Sequence, residues 1–453
     1  MHDLRRKILE PRKTVSKKAQ ARLSTSSRTS SAANSRSNSQ NVSRQGSDDE
    51  DNMSDSTNWS VNSIDDMLSA DGPEDTSEAW KQDLGDRVEE IIDRKRSSVQ
   101  GRETTLAQYV HILMRHYAYE EIQSKTSEIF PALIKSVKAE SSEKEVSLAL
   151  RAIALTLITT ASETAYDAIF QVLKHTYSDS ESHSVKAVAI HTLSAAAIYG
   201  GASDSEIEEI MDDLLEIVES DGESVGAADS GEVVAAACEA WGFLATSIED
   251  MEDRTETGMD AFVEQLDSSD TSVQVAAGEN IALLYEKSFT EREEDDGPAP
   301  ASDDEDDEID SSMVKRYEVY RQKNQLEHKL SQLANESSRR IAKKDRKTLH
   351  TNFADILNTI EHPTRGPRYQ NAIDSETGKR YGSRLTIRIH KTGSMKIDKW
   401  WKLHRLQAMR RVLGGGFVHH YEQNEVVFES LPIMILSEPK TKPKKSTGPS
   451  NGE

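Results

Sequence analysis

Few residues in this chain are of types that do chemistry, and their neighbours decide what each can do. The one cysteine, Cys238, stands among Ala235, Ala236, Ala237 and Ala240. On a helix such a setting buries the thiol as a small hydrophobe and supplies no cation to lower its pKa. A lone thiol also excludes a disulfide framework or a cysteine-based zinc cluster and fits a reducing compartment. His419 and His420, near Glu422 and Glu425, are ligand types that zinc accepts. Adjacent helical residues point in different directions, however, and no third ligand is specified, so a metal-dependent enzyme is only a remote alternative. The acids of 303–308 lack the glycine-centred loop of an EF-hand. Gly414-Gly415-Gly416 follows a helical stretch with no strand before it and reads as a helix stop. No phosphate loop, dinucleotide fingerprint, H-E-x-x-H or G-x-S-x-G elbow occurs. The expectation is no catalytic residue, no metal, no cofactor and no small-molecule substrate.

Binding chemistry is better represented. Lys399, Lys402, Arg405, Arg410 and Arg411 crowd the stretch 397–413 beside Trp400 and Trp401. Cations there can neutralise phosphates and aromatics can stack on exposed bases. In the competing reading Trp400, Leu403 and Met409 form a core and the lysines are its wet side. The candidate RNA- or partner-binding set is therefore Lys399, Trp400, Trp401, Lys402, Arg405, Arg410, Arg411, His419 and His420. Ser47 precedes Asp48-Asp49-Glu50 and Ser302 precedes Asp303-Asp304-Glu305, a pattern that acid-directed kinases use.

The elements that must position these residues follow from composition and charge. The chain has 453 residues, a formal charge of −23, 35% hydrophobic and 30% charged residues. That is length enough for two or three domains, with too few apolar residues to bury all of it. Residues 1–46 carry 11 basic and 2 acidic groups, and 47–100 carry 5 and 16. The stretch 101–290 carries 11 and 35, 291–312 carries 1 and 12, and 313–453 carries 28 and 14. Hence the expected organisation is a disordered arm over 1–77, a folded acidic domain over 78–290, and an acidic linker over 291–312. A basic C-terminal domain over 313–436 and a disordered tail over 437–453 complete it. The most apolar run, 148–161, contains Arg151 and is too short to span a membrane. With no apolar signal core near Met1, a location in the cytoplasm, the nucleus or both is expected; Arg5-Arg6-Lys7 with Lys17-Lys18 has the form of a split import signal.

Over 78–290 the apolar residues recur at helical spacing, as in Val146, Ala149, Leu150, Ile153 and Leu157. Similar helices return as Val185, Ala189 and Leu193, then Val233, Ala237 and Trp241, then Val273, Ala277 and Ile281. The roughly 40-residue period is that of armadillo and HEAT repeats. Second helices fall over 163–177, 205–219 and 255–266, and 221–228 reads as an extended loop. Ser142 with Glu145 has the spacing of a capping box. The fold class is mainly α, a right-handed α-solenoid followed by a small, mostly helical basic domain. In that domain a long charged helix is expected over 313–347, with Leu326, Leu330 and Leu333 as its seam. An amphipathic helix follows with Phe353, Ile356, Leu357 and Ile360 inward, and then a short half-exposed strand over 384–390.

The D-x-W start at Asp398, the basic helix, the L-G-x-G turn at Leu413 and the run from His419-His420 to Asn424-Glu425 carry a resemblance. Over about 78–290 and 346–430, and most specifically over 397–430, the chain resembles the interferon-related developmental regulators. The connection 362–396 is longer than in animal members of that family. The resemblance implies an armadillo-like N-terminal domain and a non-enzymatic regulator of gene expression. It implies a transcriptional co-regulator working through protein contacts or, alternatively, a ribosome-associated repressor of translation that meets rRNA through 313–453.

Overall fold

The computed structural model describes residues 78–94, 97–293, 296, 312–335, 343–373, 380–389 and 394–431. The arm 1–77, the tail 437–453, and Ser47 and Ser302 lie outside the described residues. Helices begin at α1 (Ala79–Ile92), α2 (Val99–Arg115), the one-turn α3 (Tyr119–Ile122) and α4 (Thr126–Ala139). They continue as α5 (Glu143–Thr159), α6 (Ala165–Asp179), α7 (His183–Tyr199), α8 (Asp204–Glu219), α9 (Gly231–Ala245), α10 (Glu252–Gln265) and α11 (Thr271–Lys287). Five starts are written locally: Ser98, Ser142, Ser182, Ser203 and Asp270 each accept a backbone N–H of the following first turn.

These helices stack in two rows. α2, α5, α7, α9 and α11 lie side by side in chain order, and α1, α4, α6, α8 and α10 form a second row against them. This is an α-solenoid, and the alternation of helix pairs was readable from the repeat. The two rows differ in kind. Second-row helices are amphipathic, with Glu209, Asp212 and Glu216 of α8 outward and Ile207, Ile210, Leu214 and Val218 buried. First-row helices are buried almost all round; α7 buries Val185, Ala189 and Leu193 but also Lys186, Thr192 and Ser194. Small residues between large ones let neighbouring axes approach.

Two polar groups inside the stack have their partners. Glu145, fully buried, receives Arg102 at 2.7 and 2.8 Å and Arg94 at 3.1 Å. The expected capping box is thus only half formed: Ser142 caps the Glu145 N–H, but the carboxylate binds the two guanidiniums of the preceding repeat instead of turning back. A complete box occurs at Ser203 and Glu206. Lys186 donates to the carbonyls of Tyr177, Ser178 and Val225 at 3.1, 2.6 and 2.6 Å. It thereby pins the loop 221–228, whose 3₁₀ turn Glu223–Val225 lies between Gly222 and Gly226, both in the left-handed region.

Beyond residue 288 the chain does not form the expected single helix over 313–347. β1 (Phe289–Glu291) pairs antiparallel with β2 (Met313–Lys315), Thr290 opposite Val314. Arg316 holds this extended chain by bonding Asp296 at 2.9 and 3.0 Å and the Glu291 carbonyl. Helix resumes at α12 (Lys323–Ala334) and α13 (Lys343–Glu361). Leu326 and Leu330 are buried as the seam requires, and Phe353, Ile356 and Ile360 face inward against α11. Lys329 reaches Val263 and Asp267 at the end of α10, so α12 and α13 add another pair to the stack. Two antiparallel hairpins follow, β3 (Tyr369–Ile373) with β4 (Arg380–Ser383) and β5 (Thr386–Arg388) with β6 (Ser394–Lys396). The chain closes with α14 (Trp400–Leu413), a 3₁₀ turn of the three glycines, α15 (Phe417–Gln423) and α16 (Glu425–Ser430).

Removing the Glu145 carboxylate leaves two largely buried guanidiniums without their counter-charge. Glu145→Ala is expected to lower the unfolding free energy by about 3 kcal/mol. Urea titration of the parent and the variant measures it, and a loss below about 1 kcal/mol would mean that Arg94 and Arg102 recover solvation without the carboxylate.

Candidate functional site

The residues singled out in 397–425 lie along the first row, near the C-terminal ends of its helices. α14 packs on α9, α11 and α5, and the glycine turn sits on α2. The segment therefore runs back along the stack, from α11 to α2. What holds it is a series of polar contacts, each with a clear cause.

The start of α14 has no side-chain cap of its own. Its first backbone N–H groups, those of Trp400 and Trp401, are taken by Glu286 of α11 at 2.8 and 3.1 Å. A carboxylate satisfies two orphan donors there and meets the positive end of the helix dipole. Burial nevertheless raises the Glu286 pKa, with Lys399 and the two N–H bonds opposing that rise. Trp400 is buried, and its indole N–H donates to Thr359 of α13 at 2.8 Å. Trp401 is half-buried beneath Lys402 and Arg405, whose cationic groups lie 5.5 and 5.1 Å from its ring. Lys399 donates to the Thr364 carbonyl and Lys402 pairs with Asp398 at 2.6 Å.

Further along, Arg405 donates to the hydroxyl and carbonyl of Thr246, the residue that ends α9, and to the carbonyl of Ser430. Arg411 pairs with Glu239 of α9 at 2.7 Å. His191 of α7 lies 3.4 Å from the same carboxylate but is held neutral, because burial first and Arg411 second push its pKa well below the ordinary value. Glu279 of α11 is pushed up to about 7 by burial and accepts the Gln407 amide at 3.0 Å. Arg410 lies 5.9 Å from the ring of Phe417.

The close approach of α14 depends on one residue of α9. A Cβ at Gly242 would meet Asn280 Oδ1 at 2.2 Å and the His404 ring at 2.4 Å. The turn at 414–416 is equally tight, since a Cβ at Gly416 would lie 1.6 Å from the Met114 carbonyl. Then His420 donates its Nε2–H to the Leu113 carbonyl at 2.7 Å, and Asn424 donates to the Ile158 carbonyl at 2.9 Å. Leu113 and Ile158 lie in the last turns of α2 and α5, whose final carbonyls have no intrahelical partner. His419 stacks edge-on against His116, 6.2 Å away, and its ring stands 84° from that of His420. Among the described residues no three His, Cys, Asp or Glu side chains are placed to hold a metal. Cys238 is fully buried, and burial pushes its thiol pKa upward.

Most of the sequence-selected cations thus have partners inside the molecule. Sequence reading missed the residues on which the segment is seated: Glu239, Gly242, Thr246, Glu279 and Glu286. The three glutamates had a signal, as carboxylates on largely apolar helices.

The description "Interferon-related developmental regulator" belongs to the family model that matches residues 34–361, which reach from before α1 to the end of α13. The chain belongs to the interferon-related developmental regulator family. The motif 397–430 lies beyond the matched residues. A Schizosaccharomyces pombe protein of uncharacterized function is 30% identical over 373 residues, 80% of this chain and 78% of that protein. Interferon-related developmental regulator 1 of Mus musculus and of Homo sapiens are 25% and 26% identical over 202 residues. Those alignments take in 44% of this chain and 36% of the mammalian proteins. Membership makes this regulator one of the developmental and gene-expression kind, in a family generally without enzymatic activity.

Two tests address the contact between this regulator's segment and its repeat. Gly242→Ala is expected to cost about 1–3 kcal/mol, as overpacking does. The control Gly85→Ala, in α1 with nothing within 4 Å, should stabilise by roughly 0.5–1 kcal/mol, both read from urea midpoints. The second test uses pH. Burial pushes His420 down to about 4, against an ordinary value of 6.5, so between those values the folded state binds fewer protons than the unfolded one. Stability contributed by neutral His420 is present above pH 6.5 and is lost as pH falls toward 4. His420→Gln should be less stable at pH 7 yet lose about 2 kcal/mol less than the parent between pH 6.5 and pH 5. Equal losses in both proteins would place the imidazole in solvent.

Proposed function

We propose that this regulator is a non-catalytic scaffold of the transcriptional co-regulator type, which binds proteins of the gene-expression machinery through its solenoid, in the cytoplasm, the nucleus or both. The observation that carries the reading is the C-terminal segment lying on the first row. Repeat solenoids bind macromolecules along extended surfaces. With the first row covered by the chain itself, the extended surface left to a partner is the second row. There α6, α8 and α10 turn Asp167, Glu209, Asp212, Glu216, Asp260 and Glu264 to solvent. A partner with a basic face fits that charge.

The ribosome-associated alternative, a repressor of translation meeting rRNA through 313–453, draws less support from α14. Lys402, Arg405 and Arg411 are paired with Asp398, Thr246 and Glu239, and a phosphate would have to displace those partners.

Affinity capture of the tagged full chain from cell extract, with sedimentation of the same extract on a low-salt sucrose gradient, tests the scaffold reading. The expected outcome is retention of nuclear or cytoplasmic gene-regulatory proteins that is lost in Glu209→Lys/Asp212→Lys/Glu216→Lys. The chain should sediment apart from ribosomal subunits. Co-sedimentation with subunits that survives this triple substitution would overturn it in favour of the ribosomal reading.

A further inference from the structure

The four strands between α13 and α14 belong to neither row of the repeat stack and precede the covering segment. From residue 364 to 396 the chain carries eight Lys or Arg against two acids. The described strands themselves, Tyr369–Ile373, Arg380–Ser383, Thr386–Arg388 and Ser394–Lys396, contain no carboxylate at all.

The hairpins are held as one piece. Ser383 donates to the Ile397 carbonyl at 2.8 Å, and the Ile397 N–H donates to the Leu385 carbonyl at 2.8 Å. Gly366 lets the piece sit on the start of α14, where a Cβ would lie 1.9 Å from the Asp398 carbonyl. Strand alternation then sorts the side chains. Ile387 and Met395, opposite each other in register, are buried, and their neighbours Thr386, Arg388, Ser394 and Lys396 take the other face.

That outer face has two properties that α14 lacks. Its arginines are open: Arg384 and Arg388 are exposed and Arg388 makes no ion pair among the described residues, while the half-buried Lys396 donates to the Tyr381 carbonyl at 3.4 Å. Arg368, just inside, is by contrast held by Asp355 at 3.3 Å. Tyr381 is 42% exposed, one of four large hydrophobics so placed among the described residues, and the Arg384 guanidinium lies 4.3 Å over its ring. A solvated aromatic ring with an arginine plane stacked on it, with Lys396 at its backbone and Arg388 exposed two alternations along the chain from Arg384, offers planar surfaces for unstacked bases and charges for the phosphates between them. An acidic protein surface would use the charges but gain nothing from the ring. A duplex would use the charges and keep its bases out of reach.

We propose that the outer face of the paired hairpins, centred on Tyr381, Arg384 and Arg388, is a docking surface for single-stranded RNA. This does not rest on the scaffold reading, because the face is remote in sequence from the second-row carboxylates and either site can bind without the other.

Fluorescence anisotropy of the purified full chain tests it, with labelled 12-nucleotide oligouridylate, oligothymidylate of the same length, a 12-base-pair RNA duplex and a 12-residue polyglutamate as probes, between 50 and 200 mM KCl. The parent is expected to bind the oligouridylate more tightly than the duplex or polyglutamate. Arg384→Glu/Arg388→Glu should weaken that binding at least about tenfold at the lowest salt. It should also flatten the slope of log affinity against log salt by about 1.4, the value for two phosphate contacts on a single strand. Tyr381→Ala should cost roughly five- to a hundredfold at every salt concentration and leave the slope unchanged, as loss of one stacked base does. All three side chains are exposed, so circular dichroism and urea midpoints should match the parent. Polyglutamate bound as tightly as the oligouridylate would overturn the proposal in favour of an acidic protein partner. An affinity for oligouridylate that neither variant changes, or none in the parent, would also overturn it. Oligothymidylate bound more tightly than oligouridylate would assign the face to single-stranded DNA instead.

Discussion

A helix that is apolar on every side has to be covered on every side, and α5, α7, α9 and α11 are built that way. The second row covers one flank of each, and its neighbours in the row cover two more. A fourth flank remains. An isolated repeat stack would leave Ala195, Tyr199 and Phe243, which meet Ala408 and Val412, in water, together with the carboxylates and helix-end carbonyls among them. The segment 397–431 supplies the missing cover, bringing Trp400, Leu413, Phe417, Tyr421 and Val427 to complete burial. At about 25 cal/mol per Å² of apolar surface, a handful of such side chains outweighs the several polar groups buried with them, provided that each polar group is matched.

The matching follows one rule. The segment crosses the first row near the C-terminal ends of its helices, where backbone carbonyls lack partners and the helix dipole is negative. Its donors go there: Arg405 to Thr246, Asn424 to Ile158 and His420 to Leu113. Two of these three are uncharged, because a buried histidine is held neutral and an amide has no charge to desolvate. Glu286 is the converse case, a carboxylate of the row placed at the N-terminal end of the segment's own helix. Charge attraction between an acidic repeat and a basic C-terminal region therefore accounts for little of the contact directly. Arg411 with Glu239 is the plain ion pair across it, and most of the remaining energy lies in dipole ends, hydrogen bonds and apolar area.

The repeat itself was legible in the sequence because it is periodic and local. Val185, Ala189 and Leu193 recur as Val233, Ala237 and Trp241, and serine or aspartate caps mark the starts of α2, α5, α7, α8 and α11. What periodicity hides is which flank of an all-apolar helix meets which neighbour. Ser142 and Glu145 illustrate the limit: their spacing signals a cap, yet burying Glu145 beside Arg94 and Arg102 overrides the local bond. The stretch 313–347 failed for a similar reason, since its helical composition yields to strand pairing of Val314 with Thr290, a partner outside any local window. At the candidate site, a run of cations beside tryptophans fits both a nucleic-acid face and a docking edge. The residues that separate the two readings, Gly242 and Glu286, lie more than 100 positions away in the sequence.

Where charge remains free is consequently more informative than where it is abundant. α14 carries a dense group of cations, and the covering contact commits most of them. Beside the hairpins, Arg384 and Arg388 face water. An ion pair with a phosphate gains only the difference between its new partner and its old one, so a cation already bonded to protein contributes much less than a solvated one. The same reasoning applies on the acidic side. Glu239, Glu279 and Glu286 are consumed by the segment, whereas Glu209 and Glu216 face solvent on α8. One covering segment thus sorts the charges of both halves, committing those along the first row and leaving those of the second row and the hairpins exposed.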